Sequence, residues 1–141
     1  MTDKNTEELF AELKTDNDIK DYLTRNDGEF SPPLVDYLTR LLNDKGLNKK
    51  AVINASGIER TYAYHILAGK VAPSRGKLLS LARALTLDLP ETQQLLKHGG
   101  HAPLYPRKPW DSVIISAIEQ NLSVPETNEL LIELGEKQLL G

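Results

Sequence analysis

Apolar side chains recur at steps of three and four residues along almost the whole chain. That spacing places them on one face of an α-helix, whereas a half-buried β-strand requires alternation of apolar and polar residues. Clean alternation does not extend over any segment of the sequence. The spacing therefore predicts an all-α fold.

Polar residues, glycines and prolines divide this pattern into short helices. A first helix or helix pair is expected at about residues 6–25, interrupted near residues 15–17, and Ser31 and Pro32 are typical of the cap and first position of the next one. That next helix is predicted from Pro32 to about residue 42, and further helices are predicted at about residues 49–55, 59–68 and 74–85. The apolar stripe of the first segment consists of Leu9, Phe10, Leu13, Ile19, Tyr22 and Leu23.

A local internal repeat follows, in which residues 87–96 (LDLPETQQLL) match residues 122–131 (LSVPETNELL) at an offset of 35 residues. Each copy predicts a helix, a tight corner and a second helix with Pro-Glu in its first turn, where the carboxylate meets the positive end of the dipole. The link at residues 98–107 is too rich in glycine and proline to be helical. The residues expected to form core in the second copy are Val113, Ile114, Ala117, Ile118, Leu122, Leu130, Leu131 and Leu134, which together exceed what one hairpin can bury.

Composition excludes several classes of protein. The chain has 141 residues and no cysteine, which rules out disulfides, thiolate zinc sites and cysteine nucleophiles. Its apolar runs are shorter than the ~18 residues of a membrane helix, and the first ten residues are polar and acidic where a signal peptide would be basic and then apolar. We therefore expect a cytoplasmic protein with no membrane partner.

Charge is distributed unevenly along the chain, although the net charge is only -3. Residues 40–83 carry nine basic and two acidic side chains, whereas residues 1–39 and 84–141 are both net acidic. A basic block between acidic ends concentrates positive potential where phosphate binding would need it. An ordinary solvated face remains the alternative explanation for this clustering.

The basic block contains a helix, a tight glycine turn and a helix in the segment LNKKAVINASGIERTYAYHILAGKVAPS. This segment resembles the helix-turn-helix of the XRE family, the Cro and lambda-repressor group of bacterial and phage regulators, over about residues 34–96. The positions that carry the resemblance are Gly57, Ile58, Ile66, Gly69-Lys70 and Pro73-Ser74. One departure is Ile53 and Ala63, where the family has the small residue first and the branched residue second; the exchange would keep the packed volume about constant.

The resemblance implies a lambda-repressor-like core whose helix 59–68 lies in the major groove of double-stranded DNA. The residues that it places outward include Glu59 as well as the four expected base contacts. Arg60 can pair with guanine O6 and N7, and Thr61 can contact a thymine methyl. The expected base contacts are Arg60, Thr61, Tyr64 and His65, and the expected phosphate contacts are Lys49, Lys50, Lys70, Arg75 and Lys77. Tyr62 is expected to pack inward instead.

Three segments are therefore predicted: an acidic helical N-terminal arm (1–30), the XRE-type DNA-binding domain (31–98) and a helical C-terminal extension (99–141). The stretch from Leu104 to Ile115 is similar to an extension on some XRE regulators from Gram-positive bacteria. The implied function is sequence-specific regulation of transcription, with repression as its expected form. A homodimer is expected, because one short helix contacts too few base pairs for specificity.

A rival function fits the same residues. The rival is a protein-binding adaptor, antitoxin or phage inhibitor that uses the helix-turn-helix scaffold, or the N- or C-terminal extension, to hold a protein partner. His98 and His101 have a metal-like spacing, but the sequence offers no nearby third ligand, so we expect no metal site. Catalytic and nucleotide-binding motifs are missing, so neither an enzyme nor a cofactor is expected.

Overall fold

The computed structural model describes residues 4–15, 18–26 and 33–140. Within these ranges the regular structure consists of nine α-helices and contains no strand, which confirms the predicted all-α class. The helices are α1 (Thr6–Thr15), α2 (Ile19–Arg25), α3 (Leu34–Asp44), α4 (Lys49–Ser56), α5 (Arg60–Leu67), α6 (Arg75–Ala84), α7 (Leu89–His98), α8 (Pro109–Glu119) and α9 (Val124–Glu133).

The chain divides into two compact units, Met1–Pro32 and Pro33–Gly141. From residue 33 onward, the predicted segments 31–98 and 99–141 therefore lie together in the second unit. No helix in the described part of either unit has the length and apolar character that crossing a bilayer requires.

The first unit contains α1 and α2, which are joined by an ion pair between Glu12 and Arg25. Glu12 of α1 forms ion pairs with Lys4 at 2.7 Å and with Arg25 at 2.9 Å. Hydrogen bonds from Lys4, Asn26 and Arg25 lower the pKa of Glu12 to about 2. The predicted apolar stripe is largely exposed in this unit: Tyr22 is buried, whereas Phe10, Leu13, Ile19 and Leu23 are exposed.

Caps set the ends of the helices in the second unit. Asn48 caps α4 by accepting the Ala51 N–H at 3.2 Å, and Ser74 caps α6 by accepting the Lys77 N–H at 3.3 Å. Helix α5 begins at Arg60, one residue later than predicted, because Glu59 is its N-cap. Helix α3 begins at Leu34 with Pro33 in the cap position, two residues later than the predicted start at Pro32; residues 31 and 32 themselves lie outside the described residues.

The core of the second unit is built from leucine and isoleucine on the inner faces of these helices. Helix α3 packs on α5 and α7, and α4 packs on α5 and α6. Ile53 and Ala63, the pair whose sizes are exchanged relative to the XRE pattern, are both buried. Such close packing fixes α5 against the rest of the unit, with one face inward.

The internal repeat is present in the structure as two matching helical hairpins, α6–α7 and α8–α9. Thr86 and Asn121 lie 35 residues apart, at the corners of the two hairpins, and both adopt left-handed backbone with φ of 54° and 52°. Asp88 and Ser123 cap the second helix of each hairpin, each in a capping box with a glutamate. The predicted arrangement of helix, corner and helix with Pro-Glu in the first turn is confirmed.

The correspondence extends beyond the hairpins to the chain that follows them. The Leu104 N–H donates to Oε1 of Gln93 at 2.8 Å, and the Leu139 N–H donates to Oδ1 of Asn128 at 2.9 Å, again 35 residues apart. Leu104 and Leu139 are both buried. Each copy therefore comprises a hairpin and a non-helical segment, here called a strap, that returns along its second helix; the two straps are residues 99–108 and 134–140.

The predicted core of the second hairpin is only partly buried. Ile114, Ala117, Ile118 and Leu131 are buried as expected. Leu134 was expected in the core, but it is 56% exposed, because it lies at the C-cap of α9 and lines a cleft between α8 and α9 that is open to solvent. The remaining predicted core residues are half-buried: Val113, Leu122 and Leu130.

Candidate nucleic-acid interface

Helix α5 is attached to α4 by a turn that the local sequence specifies. Gly57 ends α4 in left-handed backbone with φ 74°, a conformation that glycine adopts at little cost. Ser56 then receives the Ile58 N–H at 3.2 Å and donates to the Ile53 carbonyl at 2.7 Å. Because Ile58 is also buried, the turn is anchored on both sides and holds α5 in a defined direction.

The outer face of α5 carries all four residues expected to contact bases. Arg60 and Thr61 are exposed in the first turn, and Tyr64 and His65 are half-buried one turn later. The Arg60 guanidinium lies 5.8 Å from the centroid of the Tyr64 ring. The structure therefore brings the four side chains together on one helix face, opposite Ala63 and the other buried residues of the helix.

Glu59 places a negative charge at the start of this face. Its carboxylate accepts the Thr61 N–H at 2.7 Å and the Tyr62 N–H at 3.1 Å. These backbone hydrogen bonds are the main reason that the pKa of Glu59 is lowered. The helix thus begins with an internal anion where a bound phosphate would otherwise find free N–H groups.

Four of the five predicted phosphate contacts remain accessible around α5. Lys49 and Lys50 are exposed in the first turn of α4, and Lys70 is exposed just after α5. Lys77 is half-buried, with its ammonium 4.3 Å from the centroid of the Tyr62 ring. Tyr62 packs against the core as predicted.

Arg75 differs from its predicted role, because its half-buried guanidinium is engaged by partners within the protein. It donates to both carboxylate oxygens of Asp111, at 2.9 and 3.0 Å. It also donates to the carbonyls of Ala102 and Pro103, each at 3.0 Å. Four donated hydrogen bonds leave Arg75 little capacity for a phosphate, so the interface does not include it.

Two further cations of the basic block have internal partners. Arg83 is buried and donates to the carbonyls of Leu87 at 2.6 Å and Leu122 at 3.0 Å, and Lys45 forms an ion pair with Glu91 at 3.2 Å. Sequence counting cannot separate these cations from accessible ones. The basic side chains of residues 40–83 that remain outward are Arg40, Lys49, Lys50, Arg60, Lys70 and Lys77.

The two histidines with metal-like spacing each contact a different partner within the protein. His101 Nε2 lies 2.9 Å from the Pro73 carbonyl oxygen, and the His98 ring packs on Tyr37 with centroids 4.4 Å apart. Within the described ranges, His, Asp and Glu side chains form no group of three or more that could hold a metal ion.

Comparisons of this chain with protein-family models, with curated proteins and with solved structures gave no match. The case for the interface therefore rests on its own geometry. Arg60 and Thr61 have donors and a methyl group suited to base edges, and the exposed Lys49, Lys50 and Lys70 carry the charge that phosphate binding would need.

Proposed function

We propose that this protein is a sequence-specific double-stranded DNA-binding regulator of transcription, most simply a repressor, with a lambda-repressor-like helix-turn-helix of the XRE type. One observation carries the proposal. Arg60 and Thr61 are exposed on one face of α5 while the opposite face is buried, and exposed lysines precede this helix in the first turn of α4 and follow it at Lys70.

In this proposal α5 enters the major groove. Arg60 donates two parallel hydrogen bonds to a guanine, a contact that discriminates by about 1 to 3 kcal/mol against the wrong base. Tyr64 supports the Arg60 guanidinium through its ring, and Thr61 and His65 contact neighbouring bases or sugars. Lys49, Lys50 and Lys70 bind phosphates on either side and set the register of the helix.

The proposal includes two copies of the chain on a two-fold-related site in the cytoplasm of a bacterium or phage host. A single α5 of eight residues spans few base pairs, and paired half-sites supply the missing specificity. Sedimentation with and without the selected DNA tests this part. A monomer in both conditions would count against the dimer and leave the α5 contacts to be tested separately.

The experiment for the DNA proposal is selection of bound genomic fragments, followed by titration of the selected site over a salt series. Arg60→Ala should reduce the preference for the selected site over mixed DNA by about 5- to 100-fold. Lys49→Ala should weaken binding to all DNA and reduce the salt slope by about 1. Lys97→Ala, an exposed lysine on α7, is the matched control and should behave as wild type.

A flat salt response, or wild-type binding by both variants, would contradict the proposal. That result would favour the second candidate function, a protein-binding adaptor such as an antitoxin or phage inhibitor. Glu59 gives this candidate specific support, because its charge at the start of α5 opposes a phosphate and would suit a basic protein surface.

A further inference from the structure

The internal repeat shows what the outer groove of such a hairpin can hold. In the first copy α3 packs on α7 and α4 packs on α6, and together they cover the groove. Leu78, Leu85 and Leu95, which belong to this groove, are at most 1% exposed. The first hairpin therefore uses its groove to bind amphipathic helices of the same chain.

Contacts at the two ends of α7 define the direction of α3. Tyr37, near the start of α3, packs on His98 at the end of α7. Lys45, the C-cap residue of α3, forms its ion pair with Glu91 in the first turn of α7. Helix α3 thus runs antiparallel to α7 and ends in a cation that binds a capping-box glutamate.

The second copy has the corresponding groove, and it is open. A cleft of about 490 Å³ lies between α8 and α9 and is lined by Val113, Leu122, Leu130 and Leu134. The first three correspond, at the offset of 35 residues, to Leu78, Leu87 and Leu95, all buried. In the second copy the same positions are half-buried, and Leu134 is 56% exposed.

The open groove has an acidic rim. Glu126, Glu129 and Glu133 line it, and no basic side chain is among the described residues that do. Glu126 corresponds to Glu91 and makes the same capping-box bond, accepting the Ser123 N–H at 2.9 Å. Glu91 binds Lys45 as well as its own cap, so a glutamate in this position can hold a cation from an added helix.

The floor of the open groove is partly polar. Ser116 and Gln120 take the places of Leu81 and Leu85, which are buried in the first copy. Two polar residues at these positions lower the cost of leaving the groove in water, because less apolar surface is exposed. A groove with this mixed lining is therefore suited to a partner that binds reversibly.

We propose that the groove between α8 and α9 binds a basic amphipathic helix of a partner protein. The helix is about three turns long, like α3, and runs antiparallel to α9. It carries apolar side chains at the spacing of Leu34, Leu38 and Leu41 and a lysine or arginine just past its end, which pairs with Glu126. Charge favours this occupant over a second copy of the chain. In a symmetric dimer through this groove the acidic rims of the two copies would face each other and repel.

The inference does not depend on DNA binding, and a peptide with a sequence taken from α3 tests it. The probe is a labelled, end-blocked peptide of residues 33–46 in which Asp36 and Asp44 are replaced by lysine. A second, acidic peptide has the natural sequence of residues 33–46 with the same apolar residues, except that glutamate replaces Arg40 and Lys45. Fluorescence anisotropy with the full chain should show saturable binding of the basic peptide, at least about 10-fold tighter than the acidic one and weakened by salt.

Variants identify the groove as the binding site. The double substitution Glu129→Lys with Glu133→Lys should weaken the basic peptide at least about 10-fold and strengthen the acidic one. Glu119→Lys, on α8 outside the lining of the groove, is the matched control and should change binding less than about twofold. Arg60→Ala should leave peptide binding unchanged, which separates this site from the DNA interface.

Three results would overturn the proposal: no saturable binding of the basic peptide, equal binding of both peptides, or equal binding by the rim variant and wild type. Sedimentation tests the remaining occupant. A dimer that Leu134→Lys converts to monomer, while Glu119→Lys does not, would show that a second copy covers the groove and would also overturn it.

Discussion

The Arg75 guanidinium binds both carboxylate oxygens of Asp111, at 2.9 and 3.0 Å, and so ties the first copy of the repeat to the second. The Tyr105 N–H donates to the same carboxylate at 3.0 Å. Asp111 is 2% exposed. A buried carboxylate with this set of donors is a structural link whose loss leaves several polar groups without partners.

Asp111→Asn should destabilise the protein by roughly 2 to 3 kcal/mol, because Arg75 would lose its counter-charge while remaining partly buried. Urea unfolding at neutral pH measures the change. Glu119→Gln, an exposed carboxylate on the same helix, is the control and should stay within about 0.5 kcal/mol of wild type. Equal stability of the two variants would contradict the role assigned to the pair.

The same carboxylate predicts a dependence of stability on pH. Burial raises the pKa of Asp111, but the hydrogen bonds from Arg75 and Tyr105 and the nearby positive charges outweigh burial and hold it below its ordinary 3.8. A pKa that is lower in the folded state contributes stability above the unfolded-state pKa, and this stability is lost as pH falls through the folded value. The difference between wild type and Asp111→Asn should therefore shrink between pH 5 and strong acid, as measured by urea unfolding; a constant difference would contradict the assignment.

Thr86 and Asn121 offer a matched pair of substitutions at equivalent corners. Both have positive φ, which asparagine tolerates better than the β-branched threonine. We expect Thr86→Asn to stabilise the protein by about 0.5 to 1 kcal/mol and Asn121→Thr to destabilise it by a similar amount. Thermal unfolding of both variants tests the prediction, and a change of the same sign in both would refute it.

Gly76 is needed because the C-terminal strap crosses the first turn of α6. A Cβ at this position would lie 2.2 Å from the Leu139 carbonyl oxygen. Gly76→Ala should therefore displace the strap and change the fluorescence of Trp110, the only tryptophan, whose indole N–H donates to the Lys137 carbonyl at 2.8 Å. In a chain that ends at residue 135, the same substitution should be neutral or stabilising by about 0.5 kcal/mol, since alanine is the better helix former. Destabilisation in both chains would point to a cause other than the strap.

Glu59→Gln should strengthen binding to DNA by about two- to fivefold at low salt, with a smaller gain at high salt, because it removes an anion from the start of α5. The two carboxylate oxygens of Glu59 accept the Thr61 and Tyr62 N–H groups separately, and a carboxamide oxygen can replace only one of them, so the variant should lose one cap hydrogen bond at a cost of about 0.5 to 1.5 kcal/mol. Filter binding at several salt concentrations gives the measurement. Unchanged affinity at every salt would place the start of α5 away from phosphates.

Local chemistry made most helix bounds predictable from sequence. Asn48, Gly57 and Ser74 act through backbone groups within three residues of themselves, so their effect is visible in a short window of sequence. The repeat was likewise visible, because each copy carries its own cap and corner. The exposure of Leu134 was not predictable, since it depends on which helix covers each hairpin, a tertiary contact between distant residues.

Only those parts of the candidate site that depend on neighbouring residues in the sequence were predictable. Residues on α5 point outward because Ala63 and Ile66 point inward, and helical spacing is enough to infer that. Arg75 and Arg83 resemble surface cations in sequence, yet each has a partner far along the chain, Asp111 at 36 residues and the Leu122 carbonyl at 39 residues. Charge counting by segment therefore overstated the cationic surface of the basic block.

A repeat unit that no neighbouring unit covers stays in water at low cost when its outer side is polar. The outer side of the second hairpin is only partly polar, because Ser116 and Gln120 lie beside Val113 and Leu130. The groove between α8 and α9 is thus neither fully polar nor a continuous apolar surface that would favour aggregation. Such a surface can remain in water while it is empty and still bury apolar area when a further helix binds.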